Sequence, residues 1–231
     1  MRFIQRQMKT VFRSFIKRGL MTPFLHELDE EKKTDILPSR PGDFLDGSAE
    51  GLAKYEAALW RECDEHFQCE TEAYTRLRDF QGKSIPQMLA HVRLVLRDDD
   101  IPGDLRQMTS YFEVKGVLLE CIDGYNLGDI ATSQLAPPDP KEWPGIIQSA
   151  ANAAHEINRR GIMLRDCAPR NVVFDRRSHI PYIIDFAQCL FKDKLVNFWY
   201  EMGWDDDEDW DPDVEYWEQA CSHGILRRSE W

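Results

Sequence analysis

The chain has 231 residues, 42% of them hydrophobic, and carries 29 Lys and Arg against 41 Asp and Glu, a formal charge of −12. That length and apolar content suffice for a buried core and leave room for one domain or two small lobes. The acidic balance argues against a general nucleic-acid binder, whose phosphate neutralisation needs a basic face.

The six cysteines, at 63, 69, 121, 167, 189 and 221, form no C-x-x-C pair. Neither a zinc site nor a disulfide framework is indicated, and free thiols in a reducing, cytoplasmic setting are expected. No apolar run reaches the roughly eighteen residues of a membrane span. A soluble protein without a transmembrane segment follows.

Residues 1–20 hold six basic residues and no acidic one, with apolar side chains at Phe3, Ile4, Met8, Val11, Phe12, Phe15, Ile16 and Leu20. This spacing has a helix period. A basic amphipathic start suits a mitochondrial transit peptide, although one Ser is few for that class. It also suits an anionic membrane surface or docking on the acidic body, which is the favoured reading. From Leu25 to Gly51 the chain is polar and broken by Pro38, Pro41, Gly42, Gly47 and Gly51. A linker or loop excursion is expected there.

A helix is predicted over 49–79, with a break near Phe67, and its apolar face includes Leu59, Phe67, Ala73, Tyr74 and Leu77. Next come a strand over His91 to Leu96, a turn over Asp98 to Gly103 and a strand over Glu113 to Ile122. The three make a hairpin. After the breakers of Pro137 to Pro144, Ile146, Ala150, Ala154 and Ile157 recur at helical spacing. Arg159-Arg160-Gly161 then supplies the basic end and glycine that stop a helix. His155 reads as a surface residue.

The stretch from Gly161 to Cys189 carries the chemistry. Arg165-Asp166 with Asn171 fits R-D-x-x-x-x-N, and Asp185-Phe186-Ala187 stands where D-F-G stands in the protein-kinase signature set. Two short β-type runs, Asn171 to Phe174 and Pro181 to Ile184, are joined by a polar turn. The hairpin so formed has one acidic residue before it and one after it. Beyond it, Phe191 to Tyr200 reads as one further helix or strand. Asp205 to Asp209, with Trp204, Trp210 and Trp217, forms an acidic aromatic segment that lacks the glycine of a calcium-binding EF-hand loop.

These motifs, in this order, resemble a protein kinase-like domain, and most of all the divergent fungal kinase-like proteins related to aminoglycoside phosphotransferases. The resemblance implies an α+β, bilobal fold with a curtailed small lobe and a short large lobe. Residues 1–24 would be a basic amphipathic segment, 25–122 the small lobe with its linker and C-helix, and 123–231 the large lobe. It implies ATP and Mg²⁺ as cofactors and transfer of phosphate to a protein or small-molecule hydroxyl. Asp166 would accept or orient that hydroxyl, and Asn171 and Asp185 would hold the metal through oxygen. Glu70 would be the helix acid, with Glu72 as a neighbouring substitute. Backbone groups of Glu120, Cys121 and Ile122 would face the adenine. Thr10 to Phe15 would be a degenerate form of the strand that bears the phosphate-binding Lys, with Arg13 in its place and Lys17 as a poorer one.

The departures are specific. No Gly-rich loop precedes Arg13, Leu164 replaces the loop His, Ala187 replaces the glycine of D-F-G, and no A-P-E follows. A catalytically inactive pseudokinase, acting as a nucleotide-binding or protein-interaction scaffold, is therefore the alternative.

Overall fold

The computed structural model describes residues 2–34, 38–94 and 103–201, and for 2–9, 103–107 and 198–201 the backbone only. The fold is α+β. Its described residues divide into two compact units, one holding those up to Glu65 together with Val92–Gly116, the other holding His66–His91 and those from Val117 onward. The division falls inside a helix and inside two strands, so it follows no single break in the sequence.

The first unit is helical. Helix α1 spans Arg2–Lys17 and α2 spans Met21–Thr34. The long α3 (Ala49–Arg76) starts at Ser48, whose hydroxyl accepts a hydrogen bond from the Gly51 amide at 2.8 Å, a good N-cap arrangement. Phe15 and Ile16 from α1, Met21, Phe24 and Leu28 from α2, and Ala53, Ala57 and Ala58 from α3 form its core. Phe24 stands edge-on to Phe15 and to Phe44, with ring centroids 5.9 and 5.2 Å apart.

Two expectations are corrected here. The stretch after Leu25 is not a linker throughout, because Met21, Phe24 and Leu28 recur on one helical face and are buried; its polar residues lie on the opposite, solvated side. Thr10 to Phe15 is helix and not strand, since Val11, Phe12, Phe15 and Ile16 pack as one helical stripe.

Helix α3 runs unbroken past Phe67. Strand β1 (Met88–Leu94) pairs with β2 (Val114–Leu119) in a two-stranded sheet. These strands begin or end a few residues from the predicted bounds, and most of the turn expected between them, Asp98 to Pro102, lies outside the described residues. Leu89, Val92 and Leu94 on β1 and Val114 and Leu118 on β2 remain exposed.

In the second unit, β3 (Gly124–Asn126), β5 (Val172–Asp175) and β6 (Pro181–Ile183) form a three-stranded antiparallel sheet with β5 in the middle. The predicted hairpin is present in the register Val172 to Ile183 and Phe174 to Pro181. Its turn is held by Asp175, whose Oδ1 accepts from the amides of Arg177 and Ser178. Helix α4 spans Trp143–Arg159, and Gly161, at φ +76°, takes the left-handed position that ends a helix most easily with glycine. Two-residue strands β4 (Ile162–Met163) and β7 (Leu190–Phe191) pair with each other, and α5 (Lys192–Glu201) follows.

The main core of this unit gathers Tyr74, Leu77, Ile85, Ile157, Ile162 and Phe186, and a second cluster stacks Tyr125 on Phe174 at 5.5 Å. Trp204, Trp210, Trp217 and the acidic run beside them lie outside the described residues. Among the described residues, no helix is long and apolar enough to cross a membrane.

Candidate functional site

The stretch from Leu164 to Cys189 folds against α4 around an open recess. Asp166, Asn171 and Asp185 all line it, together with apolar residues such as Ile147, Ala150 and Leu164. Polar groups thus converge on a largely apolar recess, the usual composition of a small-molecule site.

Each of the three polar residues is placed by local structure. A short 3₁₀ turn, Pro169–Asn171, closes the loop after Asp166, and the Asn171 amide donates to the Ala168 carbonyl at 2.8 Å. Asn171 is buried, and its Nδ2 donates to the Asp166 backbone oxygen and to Asp166 Oδ2, both at 3.0 Å. That orientation turns its amide oxygen away from Asp166. The hairpin then returns the chain, with the Ile184 amide donating to the Asn171 carbonyl at 2.9 Å, so Asp185 follows directly on the same edge.

Asp185 is exposed and has φ +65°. A non-glycine residue in the left-handed region is uncommon, and such strain concentrates at functional positions. Its Oδ1 accepts a long hydrogen bond from the Ala187 amide at 3.4 Å. Phe186 turns the other way and is fully buried, edge-on to Tyr74 at 5.5 Å. One side chain of the pair anchors the loop and the other faces the cavity.

Glu70 stands beside this loop. Burial pushes its carboxyl above the usual range, Asp185 adds to the rise, and a hydrogen bond from the Phe186 amide offsets part of it. Glu72 serves a different purpose. Burial opposes its charge, but Lys194 at 2.5 Å and Arg76 at 2.6 Å hold its carboxyl below the usual range, and Arg76 also reaches Asp193. Of the two candidate helix acids, only Glu70 adjoins Asp185.

The remaining expected site residues fall elsewhere. Glu120 follows β2, where its amide donates to the Gln87 carbonyl at 2.8 Å and its carboxylate accepts from the Gln87 amide at 3.0 Å. Cys121 is exposed, Ile122 is half-buried, and none of the three lines the cavity. Arg13 and Lys17 lie on α1 in the first unit, whereas the cavity lining is drawn entirely from the second. The strand position expected for Arg13 is therefore replaced by a helical one.

Three supporting residues carry the loop without having been singled out for it. Asn158 is buried on α4, and its Oδ1 accepts from the Leu164 amide at 3.2 Å. Asn126 donates to the Arg170 carbonyl at 2.5 Å and accepts from the Gly128 amide at 2.9 Å. Arg170 turns back so that one Nη2 reaches both carboxylate oxygens of Asp166, at 2.7 and 2.6 Å. Asn158 had a signal in the sequence, since it continues the four-residue stripe of Ile146, Ala150 and Ala154. Asn126 had none.

No protein-family model matches the chain, and no curated protein sequence matches it.

Proposed function

We propose that the chain is an ATP- and magnesium-dependent phosphotransferase of kinase-like architecture, acting on a protein or small-molecule hydroxyl. The observation that carries this reading is the convergence of Asp166, Asn171 and Asp185 on one cavity, with Asp185 in a strained backbone conformation. Phosphoryl transfer needs little covalent chemistry from a protein and depends on positioning and charge stabilisation.

On this reading Asp166 receives or orients the substrate hydroxyl. The bond from Asn171 Nδ2 fixes its carboxylate, and Arg170 must release at least one of its oxygens for the hydroxyl to reach it. The Asn171 amide oxygen and the Asp185 carboxylate would hold magnesium. They fit by donor type, both being hard oxygen ligands. They are two, and among the described residues no group of three or more acidic, His or Cys side chains gathers to hold a metal, so nucleotide phosphates and water would have to supply the remaining ligands. Magnesium, when bound, would neutralise charge on the phosphates. Glu70 steadies the Phe186 amide and hence the loop that presents Asp185. On this reading the backbone of Glu120, Cys121 and Ile122 would have to meet the adenine from outside the cavity, whose lining includes none of the three.

A pseudokinase scaffold is the second reading. It is favoured by the helical conformation at Arg13, where the resemblance requires a strand that bears the phosphate-binding cation.

Thermal-shift titration with ATP and Mg²⁺ tests the nucleotide site in the wild type and in Asp185→Ala. Stabilisation of the wild type that is lost in the variant is expected, and no shift in either protein overturns both nucleotide readings. ADP release in the presence of candidate hydroxyl acceptors separates the two. The enzyme reading requires turnover that Asp166→Asn abolishes; nucleotide binding without turnover leaves a nucleotide-binding scaffold, and no binding leaves a protein-interaction scaffold.

A further inference from the structure

A second reactive constellation lies behind the Asp185 loop. The sulfur of Cys69, on α3, is 3.4 Å from the sulfur of Cys189, 120 positions later in the chain. It also lies 3.1 Å from the Cys189 carbonyl oxygen and 3.4 Å from that of Phe186. Cys69 is therefore held over the backbone of residues 186–189. We propose that Cys69 and Cys189 form a reversible intramolecular disulfide on mild oxidation by a hydroperoxide, covalently joining the Glu70 turn of α3 to the segment that follows Asp185.

Geometry is the main argument. A disulfide has a sulfur separation of about 2.05 Å, so the two atoms need approach by only about 1.4 Å to bond. Side-chain rotation at a half-buried cysteine supplies much of that distance. The other described cysteines are disposed differently. Cys63 and Cys121 are exposed, and the Cys167 sulfur lies 3.3 Å from the Leu164 carbonyl oxygen.

The two thiols are also unequal in exposure and in thiolate character. Cys69 is half-buried and reachable, whereas Cys189 is 6% exposed and shielded. The Cys189 thiol can donate to the Cys69 sulfur and so favours the Cys69 thiolate, while the same contact and burial push the Cys189 thiol up. Thiolate character and access select the site of oxidation.

The chemistry balances as follows. The Cys69 thiolate attacks one peroxide oxygen and the O–O bond breaks, giving a sulfenic acid at Cys69 and hydroxide, which takes up a proton to become water. The Cys189 sulfur then attacks the Cys69 sulfur, the S–O bond breaks, and the departing hydroxide leaves as a second water with the Cys189 proton. Two thiols are oxidised and one hydrogen peroxide is reduced to two waters. A small-molecule dithiol reverses the bond by exchange. Neither step depends on nucleotide or metal, so the proposal stands apart from the phosphotransferase reading.

Peptide mapping decides it. Reduced, desalted protein is treated with a few equivalents of hydrogen peroxide, alkylated after denaturation and digested with trypsin. Cleavage after Arg61 and Arg76 releases residues 62–76, which carry Cys63 and Cys69, and cleavage after Arg177 and Lys192 releases residues 178–192, which carry Cys189. The expected result is a dithiothreitol-sensitive ion joining these two peptides, with alkylation lost at two of the six cysteines. It should persist in Cys63→Ser, where only Cys69 can make the link, and vanish in Cys69→Ser and in Cys189→Ser. Because Cys63→Ser keeps the native pair, the result does not depend on the other two variants folding. Conversion of Cys69 to sulfinic acid with Cys189 still fully alkylated would overturn the proposal, as would loss of the linked ion in Cys63→Ser.

Discussion

Tyr74 joins the core of the second unit to its candidate site. Its side chain is fully buried, yet its hydroxyl has no hydrogen-bond partner among the described residues. Burial, with Glu70 one turn earlier and Asp185 across the loop, pushes its phenol far up, so the group stays protonated. An unsatisfied buried hydroxyl carries a desolvation penalty of about 1–3 kcal/mol. Tyr74→Phe keeps the ring edge-on to Phe186 and removes the penalty. We expect it to stabilise the protein by about 0.5–1.5 kcal/mol, read as a higher urea midpoint with an unchanged slope. A loss of stability would show instead that the hydroxyl is bonded. The residues around it differ in how legible they were. Asp166, Asn171 and Asp185 could be read because loop and hairpin are local, so spacing along the chain stands for spacing in the fold. The turn of Arg170 onto Asp166, four positions away, has the same local origin but reads equally as a solvated Arg. Cys69 and Cys189 carry no pattern at all, since 120 residues separate them and only the packing of α3 against the Asp185 loop brings them together.

At the scale of the element, the three-stranded sheet rests on a glycine. A Cβ built on Gly124 would lie 1.7 Å from the carbonyl oxygen of Phe174 on β5, the strand with which β3 pairs. The obstacle is backbone, so no side chain can swing aside. Gly124→Ala must displace β3 from β5 and disturb the stack of Tyr125 on Phe174. Overpacking of this kind costs about 1–3 kcal/mol and more where backbone must move, and the upper end is expected here. A thermal melt should fall by roughly 6–12 °C at about 2–4 °C per kcal/mol for a chain of this size. An unchanged melting temperature would mean that β3 is not held in the sheet. Elements with strong periodicity, α4 and the β5–β6 hairpin, were legible because their burial follows their own pattern. Helix α2 was not, because its apolar residues are few and the polar face dominates its composition. Strands β4 and β7 have two residues each, too few to show alternation. The run from Thr10 to Phe15 shows how a family pattern can mislead when the residues' own helical period points elsewhere.

The whole chain carries an excess of acid that local pairing does not remove. With 41 acidic and 29 basic side chains, 41 − 29 leaves 12 carboxylates without a basic counterpart even if every cation were paired. The pairs that do form are largely at the surface, as with Lys33 and Glu30 at 2.8 Å or Arg160 and Asp79 at 2.7 Å, and exposed pairs contribute about 0–1 kcal/mol each. Salt weakens these pairs, but it also screens the repulsion among the unpaired carboxylates, which acts over longer distances. At an ionic strength of about 10 mM the screening length is about 30 Å, spanning much of a chain this size, and at about 150 mM it is about 8 Å. Repulsion therefore loses more than attraction does, and added NaCl should raise the melting temperature, by roughly 2–4 °C if the net gain is about 1 kcal/mol. A fall on adding salt would mean that the surface pairs outweigh the net charge. The same reasoning bears on the nucleotide test. Magnesium will stabilise so acidic a chain by diffuse screening alone, with or without a site at Asp185. The diagnostic quantity is the additional shift with ATP and Mg²⁺ over NaCl at matched ionic strength. Only that increment should disappear in Asp185→Ala, while the response to NaCl, which depends on the total charge and hardly on one carboxylate, should persist.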